Sequence, residues 1–303
     1  MNTMGFVRRA TASTAALAAA ATLTIAGSVP ANASTGESTY TIATPVPATC
    51  SNGMTTVDHS GDVGEVLVEG RTLTWSLDEG NLGFQPLDLQ WYGGMGSYGD
   101  EDNYFAYNSA TTISPDGQLV DVTHQETVEG GVVLENSWTE NRRWGNGWQN
   151  TEDFTKSGTK LYRLTPDGYL FRYDLPDATR KVQVFSNARS VRTVAFDRTI
   201  DWKGGKADVL LASLSGGALR EYVIPHADPT NWSSRTLRTS GWGAFRQFDA
   251  VSCGEKGRLI MGYLDDRRIA VYYDPNRYDF DASDLRGRAT PMPALQAGTL
   301  AYG

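Results

Sequence analysis

The chain has 303 residues, of which 27 are basic and 35 are acidic, so its formal net charge at pH 7 is −8. An acidic surface of this kind repels phosphodiester backbones, which excludes nucleic acid as a partner. The length suits one large β domain or two ordinary domains.

The N-terminal 33 residues are predicted to be a secretory signal peptide. Two arginines precede an apolar run from Ala15 to Ala26, and Ala31-Asn32-Ala33 supplies the small residues that a signal peptidase requires. The run is short and poor in large apolar side chains, so cleavage after Ala33 and secretion are expected instead of anchoring. No later apolar run is long enough to span a membrane. The mature chain, 34–303, keeps 25 basic and 35 acidic residues.

Five hairpin patterns recur along the mature chain. Each is an apolar run, a polar or glycine turn and a second apolar run, which is typical of two antiparallel strands. The Asp-Gly pairs at 116–117 and 167–168 predict the sharpest turns, because glycine adopts positive φ without a Cβ clash. The second runs align, at spacings of 46 to 51 residues, on Leu73, Leu119, Leu170, Leu219 and Ile269.

Further short strands are predicted between these hairpins. They lie at Gly131–Trp138, Lys181–Phe185, Ser190–Phe196, Ser234–Arg238 and Phe245–Val251. Two hairpin strands and two intervening strands make a four-stranded unit, which is the repeat of a propeller blade. The sequence therefore predicts an all-β propeller of about five blades over 61–284. A β-sandwich would explain the short strands but not the period.

The two ends of the chain are expected to close the ring. Segments 34–60 and 285–303 each contain a strand candidate, Thr39–Ala43 and Thr299–Tyr302, that would complete a blade begun at the other end. If the two ends together build a blade of their own, the count becomes six and the architecture is unchanged.

The chain has two cysteines, Cys50 and Cys253. Outside the cell such a pair usually forms a disulfide, and this one would fasten the seam of the ring. Two buried free thiols are the less favoured alternative.

One segment carries a recognisable family motif. Trp144-Gly145-Asn146-Gly147-Trp148 precedes Phe154, Leu161-Tyr162 and Thr165-Pro166-Asp167-Gly168-Tyr169-Leu170. This order resembles the repeat of the tachylectin family of five-bladed propeller lectins, and Ser240-Gly241-Trp242 repeats part of it. The resemblance implies sugar pockets between adjacent blades and N-acetylated amino sugars as ligands. The fourth and fifth units depart from the motif, which implies that the pockets are not equivalent.

Candidate ligand residues are aromatic rings with amide or guanidinium neighbours. They are Trp144, Asn146, Trp148 and Asn150, and then Trp242 with Arg246. A pyranose stacks its C–H face on an aromatic ring, and its hydroxyls need polar partners. The resemblance implies that Trp148 and Trp242 lie near pocket edges. The alternative is that these rings are packing wedges between blades, and the sequence favours neither.

Two other functions stay open beside a glycan-binding role. A glycoside hydrolase would place carboxylates at the mouth of the central tunnel, and Asp78, Asp121, Asp174 and Asp274 recur after their hairpins. Because these acids follow the repeat, turn capping is the favoured interpretation. A rigid aromatic surface also suits a protein partner. No metal motif, cofactor motif or nucleophile elbow is found, so no metal, cofactor or catalytic residue is predicted.

Overall fold

The computed structural model describes residues 38–76, 80–91, 96–99, 102–175, 180–186, 188–279, 282–296 and 298–302. The predicted leader, 1–33, lies outside the described residues. In the described part of the chain, no helix has the length and apolar character that a membrane crossing would need.

The described strands fall into groups along the chain. The first group is β1 (Ser38–Thr41), β2 (Ser51–Val57), β3 (Val63–Glu69) and β4 (Thr72–Ser76). The second is β5 (Asp88–Trp91), β6 (Gly96–Gly99), β7 (Tyr104–Ile113), β8 (Leu119–Glu129) and β9 (Val132–Gly145). The third is β10 (Asp153–Ser157), β11 (Lys160–Leu164), β12 (Leu170–Asp174) and β13 (Lys181–Phe185). The fourth is β14 (Val191–Trp202), β15 (Gly205–Leu214), β16 (Leu219–Pro225) and β17 (Ser233–Arg238). The last strands are β18 (Phe245–Cys253), β19 (Gly257–Leu264), β20 (Ile269–Asp274), β21 (Arg286–Ala289) and β22 (Leu300–Tyr302).

Among the described residues these strands form five antiparallel sheets. Their orders are β22-β2-β3-β4-β1, β5-β7-β8-β9, β10-β11-β12-β13, β14-β15-β16-β17 and β18-β19-β20-β21, with β6 also paired to β7. The first strand of each order contacts its counterparts in a closed circle, running β5, β10, β14, β18, β22 and back to β5. The fold is therefore a five-bladed β-propeller, which confirms the prediction from the repeat. The sheets are numbered here as blades 1 to 5 in the order given.

Each of the five predicted hairpins is a pair of adjacent strands, the two middle strands in blades 2 to 5 and the third and fourth strands from the axis in blade 1. They are β3-β4, β7-β8, β11-β12, β15-β16 and β19-β20. At the β11-β12 turn Gly168 has φ +83°, and a Cβ there would lie 2.4 Å from the backbone nitrogen of Arg189. The turn thus needs glycine twice, for its backbone conformation and for the close approach of the connection to blade 4.

Blade 1 is built from both ends of the chain. Its innermost strand β22 pairs with β2 over three residues, from Thr55↔Tyr302 to Val57↔Leu300, and β1 pairs with β4 on the outer edge. The C-terminal segment 285–303 has a second role, because its strand β21 is the outer strand of blade 5. The described residues form no sixth blade.

The predicted disulfide is confirmed. Cys50 precedes β2 of blade 1 and is bonded to Cys253 at the end of β18 in blade 5, with 5.2 Å between the Cα atoms. Both cysteines are buried in an apolar cluster that includes Met54 and Leu259. The bond therefore crosses the interface at which the ring closes.

Candidate functional site

A groove of about 610 Å³ lies on the face of blade 3 that is turned toward blade 2. Strands β11, β12 and β13 line it, together with the connection from blade 2. Its polar and aromatic lining includes Asn150, Arg163, Tyr169, Phe171, Lys181 and Gln183. A cavity of this size that mixes rings with polar groups is typical of a ligand site.

Two aromatic rings stand side by side in the groove. Tyr169 and Phe171 are both partly exposed, with their centroids 5.9 Å apart and their planes 18° apart. They share a face because residues two apart on an extended chain point to the same side. The Lys181 ammonium lies 3.6 Å from the centroid of Phe171, so Tyr169 is the ring that this cation leaves open.

Arg163 is held rigidly at the floor of the groove. Its side chain is 8% exposed, and its guanidinium carbon lies 4.8 Å from the centroid of the Trp148 ring. Nη2 donates a hydrogen bond to the carbonyl oxygen of Gly147 at 2.9 Å. Nε is buried and has no hydrogen-bond partner among the described residues. A buried donor without an acceptor is costly, and Nε is unpartnered in the same way in Arg172, Arg198, Arg258 and Arg277.

Lys181 completes the polar rim of the groove. Partial burial holds the pKa of its ammonium below the ordinary lysine value, the positive charge of Arg163 lowers this pKa further, and the carboxylate of Asp167 acts in the opposite direction. The two cations therefore repel each other, and Asp167 compensates part of this repulsion.

The four predicted ligand residues between blades 2 and 3 differ in their exposure and in whether they line the groove. Asn150 is exposed and borders the groove, whereas Asn146 is exposed and does not line it. Trp144 is partly buried, and its Nε1 donates to Asp121 Oδ2 at 2.8 Å. Trp148 is 6% exposed and packs against Tyr173, with 4.8 Å between centroids. The ring of Trp148 thus supports Arg163 from below and offers no open face to a sugar.

Trp242 occupies the equivalent position two interfaces further along the ring, between blades 4 and 5. It is 2% exposed and lies 4.7 Å from Phe245 and 4.8 Å from Tyr272, between ring centroids. Its backbone nitrogen donates to the carbonyl of Gly217 at 2.9 Å, just as Trp148 donates to the carbonyl of Gly117. Both rings therefore lie under the hairpin turn of the preceding blade. This placement agrees with the alternative that they are packing wedges between blades.

A second cavity, of about 330 Å³, lies on the axis of the ring. Each innermost strand contributes to its lining, through residues such as Asp88, Asp153, Gln247 and Ala301, and the predicted ligand residue Arg246 borders it. Arg246 is exposed, and its Nε lies 3.3 Å from Asp265 Oδ1.

The acids named for a hydrolase do not line this axial cavity in the described part of the chain. Asp121 accepts from Thr111 and Trp144, and Asp174 pairs with Lys160 at 2.8 Å. Asp274 pairs with Arg258 at 2.7 Å. Each of the three is engaged within its own blade, and Asp78 lies outside the described residues.

Two other acids, which sequence reasoning missed, join the innermost strands. Asp88 of blade 2 accepts from the Phe154 nitrogen of blade 3 at 2.9 Å and from Gln247 Nε2 of blade 5 at 2.5 Å. Asp153 of blade 3 accepts from the Val194 nitrogen of blade 4 at 2.6 Å. Their position in the sequence could have identified them, since each aspartate is the first residue of an innermost strand.

The buried carboxyls of Asp88 and Asp153 both favour the protonated form. Burial raises the pKa of Asp153 to about 7, and burial together with the neighbouring Asp153 raises the pKa of Asp88 well above its ordinary value. Two neighbouring buried carboxyls cannot both be ionised at low cost. Because each accepts hydrogen bonds from other blades, this pair is suited to fastening blades.

The proton on this pair gives a pH-dependent stability that Asp153→Asn is expected to remove. Between about pH 4 and pH 7 folded Asp153 keeps a proton that the unfolded chain has lost, so its contribution to stability falls as pH rises, by up to about 1.4 kcal/mol per unit. An asparagine amide donates to Asp88 at every pH. The variant should therefore gain stability relative to the parent as pH rises through this window.

Urea unfolding at a series of pH values measures this difference. Asp201→Asn is the matched control, because the Asp201 side chain is 88% exposed. Parallel stability curves for the parent and Asp153→Asn would contradict the raised pKa of Asp153.

Comparisons with known proteins add the following. No protein-family model matches the chain, and no curated protein matches it. The SapL1 lectin in complex with α-methyl fucoside is similar in structure, at 11% identity and a TM-score of 0.43 over 86% of this chain and 98% of that one. A variant of the Aleuria aurantia lectin has 13% identity and a TM-score of 0.41, over 87% and 80%. An engineered GH43 glycoside hydrolase has 13% identity and a TM-score of 0.40, over 87% and 56%. Likeness at this level carries no argument about what the chain binds.

Proposed function

We propose that this protein is a carbohydrate-binding propeller and that the groove on blade 3 is its glycan site. The observation that carries the proposal is Tyr169, a partly exposed ring that lines the same groove as the Arg163 guanidinium. A sugar needs both groups, one for its C–H face and one for its hydroxyls. Asn150 and Gln183, both exposed at the rim, add amide donors and acceptors.

The motif in this region supports the same proposal. Thr165, Pro166 and Asp167, from the segment that carries the resemblance to tachylectins, line the groove, and the Gly147 carbonyl of the same motif accepts a hydrogen bond from Arg163. We therefore extend the proposal to glycans that contain N-acetylated amino sugars.

We also propose that the protein is secreted after cleavage behind Ala33. A disulfide that is buried in the structure is typical of proteins that leave the reducing cytosol, which supports this location. The exported chain would then begin at Ser34, which N-terminal sequencing reads directly.

Tyr169→Ala is expected to weaken glycan binding at least about tenfold, because it removes the ring face on which the sugar rests. Tyr169→Phe keeps that face and should bind within about threefold of the parent. A glycan array that includes N-acetylated amino sugars and uronic acids identifies ligands, and titration calorimetry then compares the variants.

Tyr278→Ala is the matched control, since Tyr278 is 49% exposed on another blade. Equal affinity of Tyr169→Ala and the parent would remove the groove from the proposal. An array without any bound glycan would contradict the carbohydrate-binding function and favour a protein partner.

A further inference from the structure

We infer that the glycan held in the blade 3 groove carries a carboxylate, as a uronic acid does, and that Arg163 and Lys181 bind it. This inference rests on the proposed function, because it names the chemical class of ligand for the same groove.

The charge of the groove is opposite to that of the chain. The whole sequence has an excess of eight acidic residues, yet the groove lining contains Arg163 and Lys181 against a single acid, Asp167. Asp167 belongs to the hairpin turn, where its Oδ1 accepts from the Thr165 hydroxyl at 2.5 Å. The positive charge in the groove is therefore only partly balanced by the protein.

Several cations of this propeller are paired with acids, and others in the described part of the chain are not. Arg192 pairs with Asp265 at 2.9 Å and Arg235 with Glu221 at 2.9 Å. Neither Arg163 nor Lys181 forms an ion pair with any of the described residues. Instead these two like charges line one groove, where the carboxylate of Asp167 offsets part of the repulsion between them.

Arg163 has the geometry to bind a carboxylate with two hydrogen bonds. Its guanidinium carbon lies 4.8 Å from the centroid of the Trp148 ring, and Nη2 donates one hydrogen bond, to the Gly147 carbonyl. The guanidinium N–H groups that no described acceptor uses match the two oxygens of a carboxylate. A hydroxyl satisfies one of these donors, whereas a carboxylate satisfies both and supplies the missing charge.

Lys181 is placed to bind the same group. Its ammonium rests on Phe171, next to the open ring of Tyr169. A pyranose on Tyr169 therefore has the ammonium at its edge, where a uronic acid carries its carboxylate. A point charge of this kind strengthens binding of an anion without fixing its orientation.

A pair of ligands that differ only in the carboxyl group tests the inference. We would titrate the parent protein with a hyaluronan hexasaccharide, which alternates uronic acid with N-acetylglucosamine, and with its carboxyl-reduced neutral form. The acidic form is expected to bind at least about tenfold tighter, and rising salt should weaken its binding more than that of the neutral form.

Substitutions of Lys181 and Arg163 test whether these two cations cause the preference for the acidic ligand. Lys181→Gln should reduce the acidic-over-neutral ratio by about fivefold, and Lys181→Arg should keep it, while Lys256→Gln is the matched control on an exposed lysine of blade 5. Arg163→Gln should abolish the ratio. Because Arg163 is buried, its result counts only for protein with the parental melting profile, and the exposed Lys181 provides the test if that variant does not fold.

The outcomes separate this inference from the function it rests on. Equal binding of the two forms would overturn the carboxylate and leave a neutral glycan site. Binding of neither form, while the array shows another uncharged ligand, would overturn it as well. A silent array would instead contradict the proposed function itself.

Discussion

Replacing both cysteines, as Cys50→Ala with Cys253→Ala, is expected to lower the free energy of unfolding by about 5 kcal/mol. The disulfide encloses a sequence separation of 203 residues, so its loss returns a large amount of chain entropy to the unfolded state. The rest of the seam is short, since β22 pairs with β2 through only three residues. For a chain of this size the change corresponds to a fall in Tm of about 10–20 °C.

Urea unfolding and thermal melting of the parent and the double variant measure this effect. Dithiothreitol, added under conditions that let the chain open, should lower the stability of the parent toward that of the variant. The variant itself should not respond to the reductant, which makes it the internal control. A double variant within about 1 kcal/mol of the parent would mean that strand pairing alone holds the ring closed.

The fold followed from the sequence because its strongest signals are local. Each hairpin is a run of neighbouring residues, and turns such as Asp116-Gly117 and Asp167-Gly168 require residues that tolerate unusual backbone angles. Once the spacing of these hairpins is regular, a ring is the architecture that pairs every unit with an equivalent neighbour. Closure by the two ends follows from the same geometry.

The composition of the groove did not follow from the sequence, because it depends on strand register. Arg163 lies opposite Phe171 across β11-β12, and Phe171 lies opposite Gln183 across β12-β13. The second pairing shifts register between Leu170 and Phe171, so alternation along β13 does not reveal which residues share the face. The spacing of the sequence patterns therefore predicts the strands but not which residues line the groove.

The two glycine-tryptophan motifs were ambiguous for a different reason. A sugar platform and a wedge between blades both need a large ring after a flexible residue, so composition cannot separate them. What separates them is a backbone hydrogen bond. The backbone nitrogens of Trp148 and Trp242 donate to the turn carbonyls of Gly117 and Gly217. Those partners are 25 to 31 residues away and belong to the preceding blade.

Trp242→Ala is expected to destabilise the protein by about 3–5 kcal/mol while leaving glycan affinity unchanged. The ring is 2% exposed and packs against Phe245, Phe248 and Tyr272, so its removal leaves a cavity between blades 4 and 5. That interface is remote from the groove on blade 3. If Trp242 were a sugar platform, the loss would be in binding and not in stability.

Trp148→Ala is expected to affect both stability and glycan binding, unlike Trp242→Ala. It should cost similar stability, because Trp148 is also buried, and it should weaken glycan binding as well, since the Arg163 guanidinium lies over its ring. Trp232→Ala, at a ring that is 37% exposed, is the matched control and should change both quantities less. Urea unfolding and calorimetric titration at a temperature where all variants are folded provide the two measurements. Unchanged binding in Trp148→Ala would mean that Arg163 keeps its position without the ring beneath it, whereas weakened binding in Trp242→Ala would place a second glycan site between blades 4 and 5.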